Sequence, residues 1–151
     1  MKNLYKKEMM LSTGIERFMD AQNKIWPTPL EEIKNGHKRS HWMWYIFPQI
    51  TGLGNSETSR YFALADAKEA QIFFDHPILG RRLIELCKAL LNLETTSVLK
   101  VFGSPDNLKL HSSLTLFSEL PQTNPIFEKL LQKFFLGKKD RITLDLISKK
   151  Y

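Results

Sequence analysis

The chain has 151 residues, 42% of them hydrophobic and 25% charged. That length fits one domain and buries about two thirds of the unfolded surface, which excludes a disordered chain and a stapled mini-protein. A net charge of +6 favours anionic partners, whether nucleic acid, phosphorylated metabolites or acidic proteins, and the single cysteine, Cys87, excludes an internal disulfide and fits a reducing compartment.

The N-terminal lysines are not followed by an apolar signal-peptide core, and no run approaches the ~20 apolar residues of a membrane helix. A cytoplasmic protein without membrane contact is therefore expected. Residues 1–12 read as a less ordered extension of a single helical domain spanning residues 1–151. The first helix opens at Thr13-x-x-Glu16, a capping-box pattern, and carries Ile15, Phe18, Met19, Ile25 and Trp26 before Pro27 stops it. Thr28-Pro29-x-Glu31 starts a second helix that Gly36 ends.

Ser40–Pro48 is ambiguous. The continuous apolar run from Trp42 to Phe47 suits a buried strand or a buried helix, and periodicity does not decide. Pro48–Asn55 reads as a loop. Asp66-x-x-Glu69 then caps a helix through Phe74. Pro77 opens another with Leu79, Leu83, Leu86, Cys87, Leu90 and Leu91 on one face, so Cys87 reads as core. Thr96–Phe102 forms a short helix ended by Gly103, and Ser104-Pro105 opens one carrying Leu108, Leu110, Leu114 and Phe117. Asn124-Pro125 starts a helix ending near Gly137, and Ile142–Ile147 forms the last. The expected fold is all-α, a single compact multi-helical domain of about six to eight helices.

Two constellations carry chemistry. Lys38-Arg39-Ser40-His41-Trp42-x-Trp44 sets cations beside aromatic rings. Lys and Arg neutralise phosphate, Ser40 is placed to cap a helix whose N-terminus would face an anion, and tryptophan stacks on a base. The plainer reading puts Trp42, Trp44 and Phe47 in the core, with Lys38 and Arg39 at a solvated corner. The second constellation is Asp106-x-x-Lys109-x-x-Ser112-Ser113, which on a helix is an ordinary ion pair or the polar wall of a pocket. His37, His41, His76 and His111 have no metal-ligand spacing, and no phosphate-loop or dinucleotide motif is present. No metal or cofactor is expected.

These segments resemble a bacterial domain-of-unknown-function family numbered 1810. The likeness begins at Arg17-Phe18 and is densest over Gly36-x-Lys38–Trp44, Phe47-Pro48-Gln49 and Gly52-Leu53-Gly54. It closes with Asp106-x-x-Lys109-x-x-Ser112-Ser113-x-Thr115. It implies an all-helical fold and hence a helix for the apolar run. The chain is also faintly similar to the helical NADAR superfamily, associated with ADP-ribose and N-glycosidic bond cleavage, but has Ser40-His41 where those proteins have a Glu-His pair. The leading expectation is a binder of an ADP-ribose-like nucleotide, with a further step of N-glycosidic hydrolysis. Lys38, Arg39, Ser40, Trp42, Trp44, Gln49, Lys109 and Ser112 would contact the ligand. Asp106 would be the catalytic carboxylate, with Glu57 and Glu69 behind it, and His41 the acid, base or anchor. Nucleic-acid binding is one alternative. The other is a non-catalytic interaction module with Met43, Trp44 and Phe47 as an exposed anchor.

Overall fold

The computed structural model describes residues 14–149. Capping residues and prolines set most of the boundaries. Helix α1 (Ile15–Ile25) buries Phe18 and Gln22 and stops at Trp26, ahead of Pro27. Thr13 of the expected capping box lies outside the described residues. Helix α2 (Thr28–Lys34) has Pro29 in its first turn, where no intrahelical N–H is needed. It is followed by Gly36 at φ 75°. The ambiguous apolar run resolves as a single helical turn, α3 (Met43–Ile46).

Helix α4 (Glu57–Phe62) is capped by Ser56 Oγ, which accepts from Ser59 N at 3.1 Å. Helix α5 (Ala67–Asp75) is capped by Asp66, as its sequence suggests. Helix α6 (Leu79–Asn92) is preceded by His76, whose Nδ1 accepts from the backbone N–H of Ile78 and Leu79. Helix α7 (Val98–Phe102) ends at Gly103, φ 72°. Helices α8 (Asp106–Ser118), α9 (Ile126–Phe135) and α10 (Arg141–Lys149) complete the chain.

The described residues form ten helices and no strand, more than the six to eight expected. The two additional elements, α3 and α4, are four and six residues long, too short to show helical periodicity. Ile50, after α3, and Leu64, after α4, form an isolated parallel bridge. Thr51 N donates to Leu64 O and Leu64 N to Gln49 O, both at 2.8 Å, which closes the loop between α3 and α4.

One hydrophobic core runs through the helices. Helix α8 lies at its centre, packed by α5, α7, α9 and α10. Every residue from Ser112 to Ser118 is buried, so this helix has no solvated face beyond its first turns. Three of its hydroxyls bond back to its own carbonyls, Ser112 to Lys109, Thr115 to His111 and Ser118 to Thr115 at 2.7–3.0 Å, while the buried Ser113 hydroxyl has no hydrogen-bond partner. Helix α6 packs on α2, α5 and α9 and buries Cys87 completely, and burial pushes that thiol up.

Candidate functional site

The site is built from the loop between α2 and α3 and from the start of α8. Glu32, on α2, organises the loop. Its carboxylate accepts from Arg39 N at 2.9 Å, Ser40 N at 3.0 Å, Ser40 Oγ at 2.5 Å and Trp42 Nε1 at 2.8 Å. Burial alone would raise this carboxyl, but hydrogen bonds from the Ser40 hydroxyl, the two backbone N–H groups and the indole outweigh it and hold the pKa at about 2. The Lys38 amide donates to Val101 O at 2.7 Å, which pins the loop to α7. Together these bonds turn the Lys38 side chain inward, where it is only 6% exposed.

Lys38 meets α8 there. Its Nζ lies 2.8 Å from Asp106 Oδ2, donates to Ser40 O at 2.5 Å and sits 4.8 Å from the centre of the Trp42 ring. Lys109 approaches the other carboxylate oxygen, Oδ1, at 3.7 Å, and its ammonium lies 4.7 Å over the Trp44 ring. These groups surround an open cleft of about 280 Å³, lined by Lys38, His41, Met43, Trp44, Ser104, Pro105, Asp106 and Lys109. Two ammonium groups face one carboxylate, so the cleft keeps a positive charge. It has an aromatic wall in Trp44 and an exposed imidazole, His41, at its rim.

Five of the expected site residues therefore meet in one concavity: Lys38, His41, Trp44, Asp106 and Lys109. The others are placed elsewhere. Trp42 is 1% exposed, with its indole N–H committed to Glu32, so neither face is open for stacking. Ser40 caps no helix. The cap position of α3 is Trp42, with no side-chain bond, and the Ser40 hydroxyl serves Glu32 instead. Arg39 is exposed and does not line the cleft.

Glu69 is a structural carboxylate. It pairs with Arg17 at 3.0 Å and accepts from Ala65 N, joining α1 to the start of α5. The same Arg17 guanidinium donates to the carbonyls of Tyr61 and Ala63 at 2.7 and 2.8 Å. Glu57 is exposed on the first turn of α4 and lies outside the cleft. Ser112 is buried and accepts from Gln49 Nε2 at 2.5 Å. Gln49 itself borders a second, shallow depression. Met43 and Phe47 are each 1% exposed and Trp44 is half-buried, so of the expected exposed anchor Met43 and Phe47 lie in the core. Among the described residues, no group of three or more His, Cys, Asp or Glu is placed to hold a metal, and no helix is long and apolar enough to cross a membrane.

The family model described as Protein of unknown function (DUF1810) matches residues 12–147. The chain belongs to this family. It is similar to the conserved hypothetical protein Rv1873 from Mycobacterium tuberculosis, a crystal structure with 39% sequence identity and a TM-score of 0.86. The likeness covers 89% of this chain and 96% of that one. No curated protein matches. The DUF1810 assignment agrees with the likeness read from Lys38–Gln49 and Asp106–Thr115, and the structure places the first half of each segment against the other across the cleft.

The residue that inspection of the sequence missed is Glu32. It stands inside an ordinary Leu-Glu-Glu-Ile stretch of α2, and nothing local separates it from its solvated neighbour Glu31. Its partners come from residues 39–42, beyond the glycine that ends the helix. A carboxylate one helical turn before a loop that contains Ser and Trp is the only cue, and it is a weak one.

Proposed function

We propose that the cleft binds the phosphorylated sugar portion of a nucleotide-like small molecule. The observation that carries this reading is the arrangement Lys38–Asp106–Lys109 beside Trp44. Two lysines with one shared counter-ion supply cationic donors for a phosphate. The half-buried indole supplies a flat apolar wall, and Asp106 offers an acceptor to sugar hydroxyls. A volume of about 280 Å³ sits at the small end of ligand sites, which commonly span ~300–1,000 Å³. That favours a sugar phosphate with part of its attached group over a whole dinucleotide. Calorimetric titration with ADP-ribose, AMP and NAD tests the reading. Heat that saturates with at least one of them supports it, and silence with all three at millimolar ligand overturns it.

A hydrolytic step is the finer proposal. Cleavage of an N-glycosidic bond passes through an oxocarbenium-like state. With Glu69 and Glu57 placed elsewhere, Asp106 is the carboxylate in the cleft that stabilises that charge and takes a proton from the attacking water. The C–N bond breaks with its electron pair going to the ring nitrogen, so nicotinamide leaves NAD neutral and takes no proton; the water oxygen joins the anomeric carbon, the water proton goes to Asp106, and His41 serves as an anchor for the ligand. Chromatography of NAD incubated with the protein reads this directly. Released nicotinamide that disappears in Asp106→Asn is the expected result, and an unchanged rate in that variant removes Asp106 from the step. The faint NADAR likeness supplies the idea of the bond. The support within this chain is the single carboxylate and imidazole sharing one cleft.

A further inference from the structure

The two lysines of the cleft are not equivalent. The Lys38 ammonium has three N–H donors, and each has a partner inside the protein: Asp106 Oδ2 at 2.8 Å, Ser40 O at 2.5 Å, and the Trp42 ring with its centre 4.8 Å away. The backbone around it is fixed as well, by the Lys38 amide on Val101 O and by the bonds from Arg39, Ser40 and Trp42 to Glu32. A ligand anion reaches this ammonium only by displacing a partner that water scarcely touches.

Lys109 is the opposite case. Its ammonium lies 3.7 Å from Asp106 Oδ1, an ion-pair distance longer than a hydrogen bond, and 4.7 Å from the centre of the Trp44 ring. Among the described residues that ammonium donates no hydrogen bond. The Lys109 side chain is 22% exposed, against 6% for Lys38. Its donors are therefore free, on a flexible stem, inside the open cleft. Asp106 couples the two lysines. Lys38 neutralises the carboxylate at full hydrogen-bond distance, which weakens its pull on Lys109.

We infer that Lys109 is the cation that receives the ligand's phosphate, moving off the Trp44 ring to do so, and that Lys38 is a positioning residue that occupies Asp106 so that Lys109 stays free. The inference rests on the small-ligand reading above and deepens it by dividing the work of the two lysines. A long ion pair and a partly exposed cation–π contact are weak beside charge-assisted hydrogen bonds to phosphate, so the exchange favours the ligand. The indole face that Lys109 leaves becomes open to the apolar part of the same ligand.

Calorimetry with ADP-ribose tests this on three variants. Lys109→Met keeps the stem, removes the ammonium and weakens binding by about tenfold. Lys38→Met leaves Asp106 to Lys109 alone and weakens binding by about as much, although it removes no ligand contact. Adding Asp106→Asn to Lys38→Met takes away the competing charge, keeps an acceptor oxygen and releases Lys109. The double variant is expected to bind about fivefold more tightly than either single variant. Both charges of the pair leave together in it, which spares the fold an unpaired ion, so its comparison with Lys109→Met stands even where Lys38→Met fails to fold. A double variant as weak as Lys109→Met shows that Lys38 is itself a ligand donor and overturns the inference while the cleft reading stands. Wild-type affinity in Lys38→Met overturns it too. No binding of millimolar ADP-ribose by wild-type protein overturns the cleft reading, and the inference with it.

Discussion

Lys38 Nζ and Asp106 Oδ2 meet at 2.8 Å with only 6% of the lysine side chain and 20% of the aspartate side chain exposed. This pair joins the loop after α2 to the first turn of α8 and shapes one side of the cleft. Removing one partner from such a pair leaves an uncompensated charge with little water around it. Asp106→Asn is therefore expected to lower stability by about 2–3 kcal/mol, measured by urea denaturation. A double-mutant cycle with Lys38→Met should return a coupling above ~0.5 kcal/mol. Strict additivity in that cycle would show that the pair does not hold the loop.

Glu32 sets a pH dependence. Its folded-state pKa of about 2 lies below the ordinary 4.5, so between those values the unfolded chain binds the extra proton. The contribution is fully present above the ordinary value and is lost as pH falls toward 2. Unfolding free energy measured from pH 6 to pH 2 should fall across that window, and Glu32→Gln should flatten the part of the slope that Glu32 supplies. A variant with the wild-type slope would remove Glu32 as its source.

Lys133 is a long-range cap. Its ammonium donates to Leu90 O and Leu91 O at 2.9 Å, and to Leu93 O. Leu90 and Leu91 lie in the last turn of α6 and Leu93 just after it, at the negative end of the helix dipole; Leu90 O also accepts from Leu93 N at 3.3 Å. Lys133→Met keeps the stem and loses the donors, and should destabilise by about 1–3 kcal/mol. Thermal unfolding reads this, with Lys129→Met, exposed on α9, as the control expected to change little.

Gly80 is required by packing. A Cβ at this position would lie 2.0 Å from Phe74 O, a backbone atom that moves only if the junction of α5 and α6 opens. Gly80→Ala should cost about 1–3 kcal/mol from overpacking, despite the better helix propensity of alanine. A more stable variant in chemical denaturation would show that the junction relaxes freely.

Trp44 and Lys109 carry the binding proposal. Trp44→Ala and Lys109→Ala should each weaken ADP-ribose by about tenfold. Trp42→Phe should act mainly on stability, since its indole N–H serves Glu32 from within the core. Titration and unfolding measured on the same three variants separate the roles. Weakened binding from Trp42→Phe with unchanged stability would reverse the assignment of the two tryptophans.

The resemblance and the residues together made the all-helical class legible, along with most helix boundaries. Pro27, Pro29, Asp66 and Gly103 act within a turn of their own positions, so their effects follow from short-range sterics and hydrogen bonding. The same locality explains the helix that escaped, Glu57–Phe62, which is held by a serine cap and a loop closure more than by an apolar stripe; Met43–Ile46, one turn with no periodicity to read, was legible as helix only through the family resemblance. The stretch Lys38–Gln49 was legible as a place. Its internal division was not, because Trp42 and Trp44 are chemically alike and differ only in what lies opposite them.

Sequence by itself determined that this chain is helical and where most helices begin and end, and it singled out two polar segments as candidates. Tertiary structure alone decided which of their side chains work together. Glu32 turns Ser40 and Trp42 inward as scaffold, while Asp106 draws Lys38 and Lys109 to the rim of one cleft and leaves Glu69 to clamp Arg17 elsewhere. The reason is physical. Caps such as Ser56 and Asp66 are local, whereas the direction of a charged side chain is set by its counter-ion, and for Lys38 and Arg17 that partner comes from a helix distant in sequence.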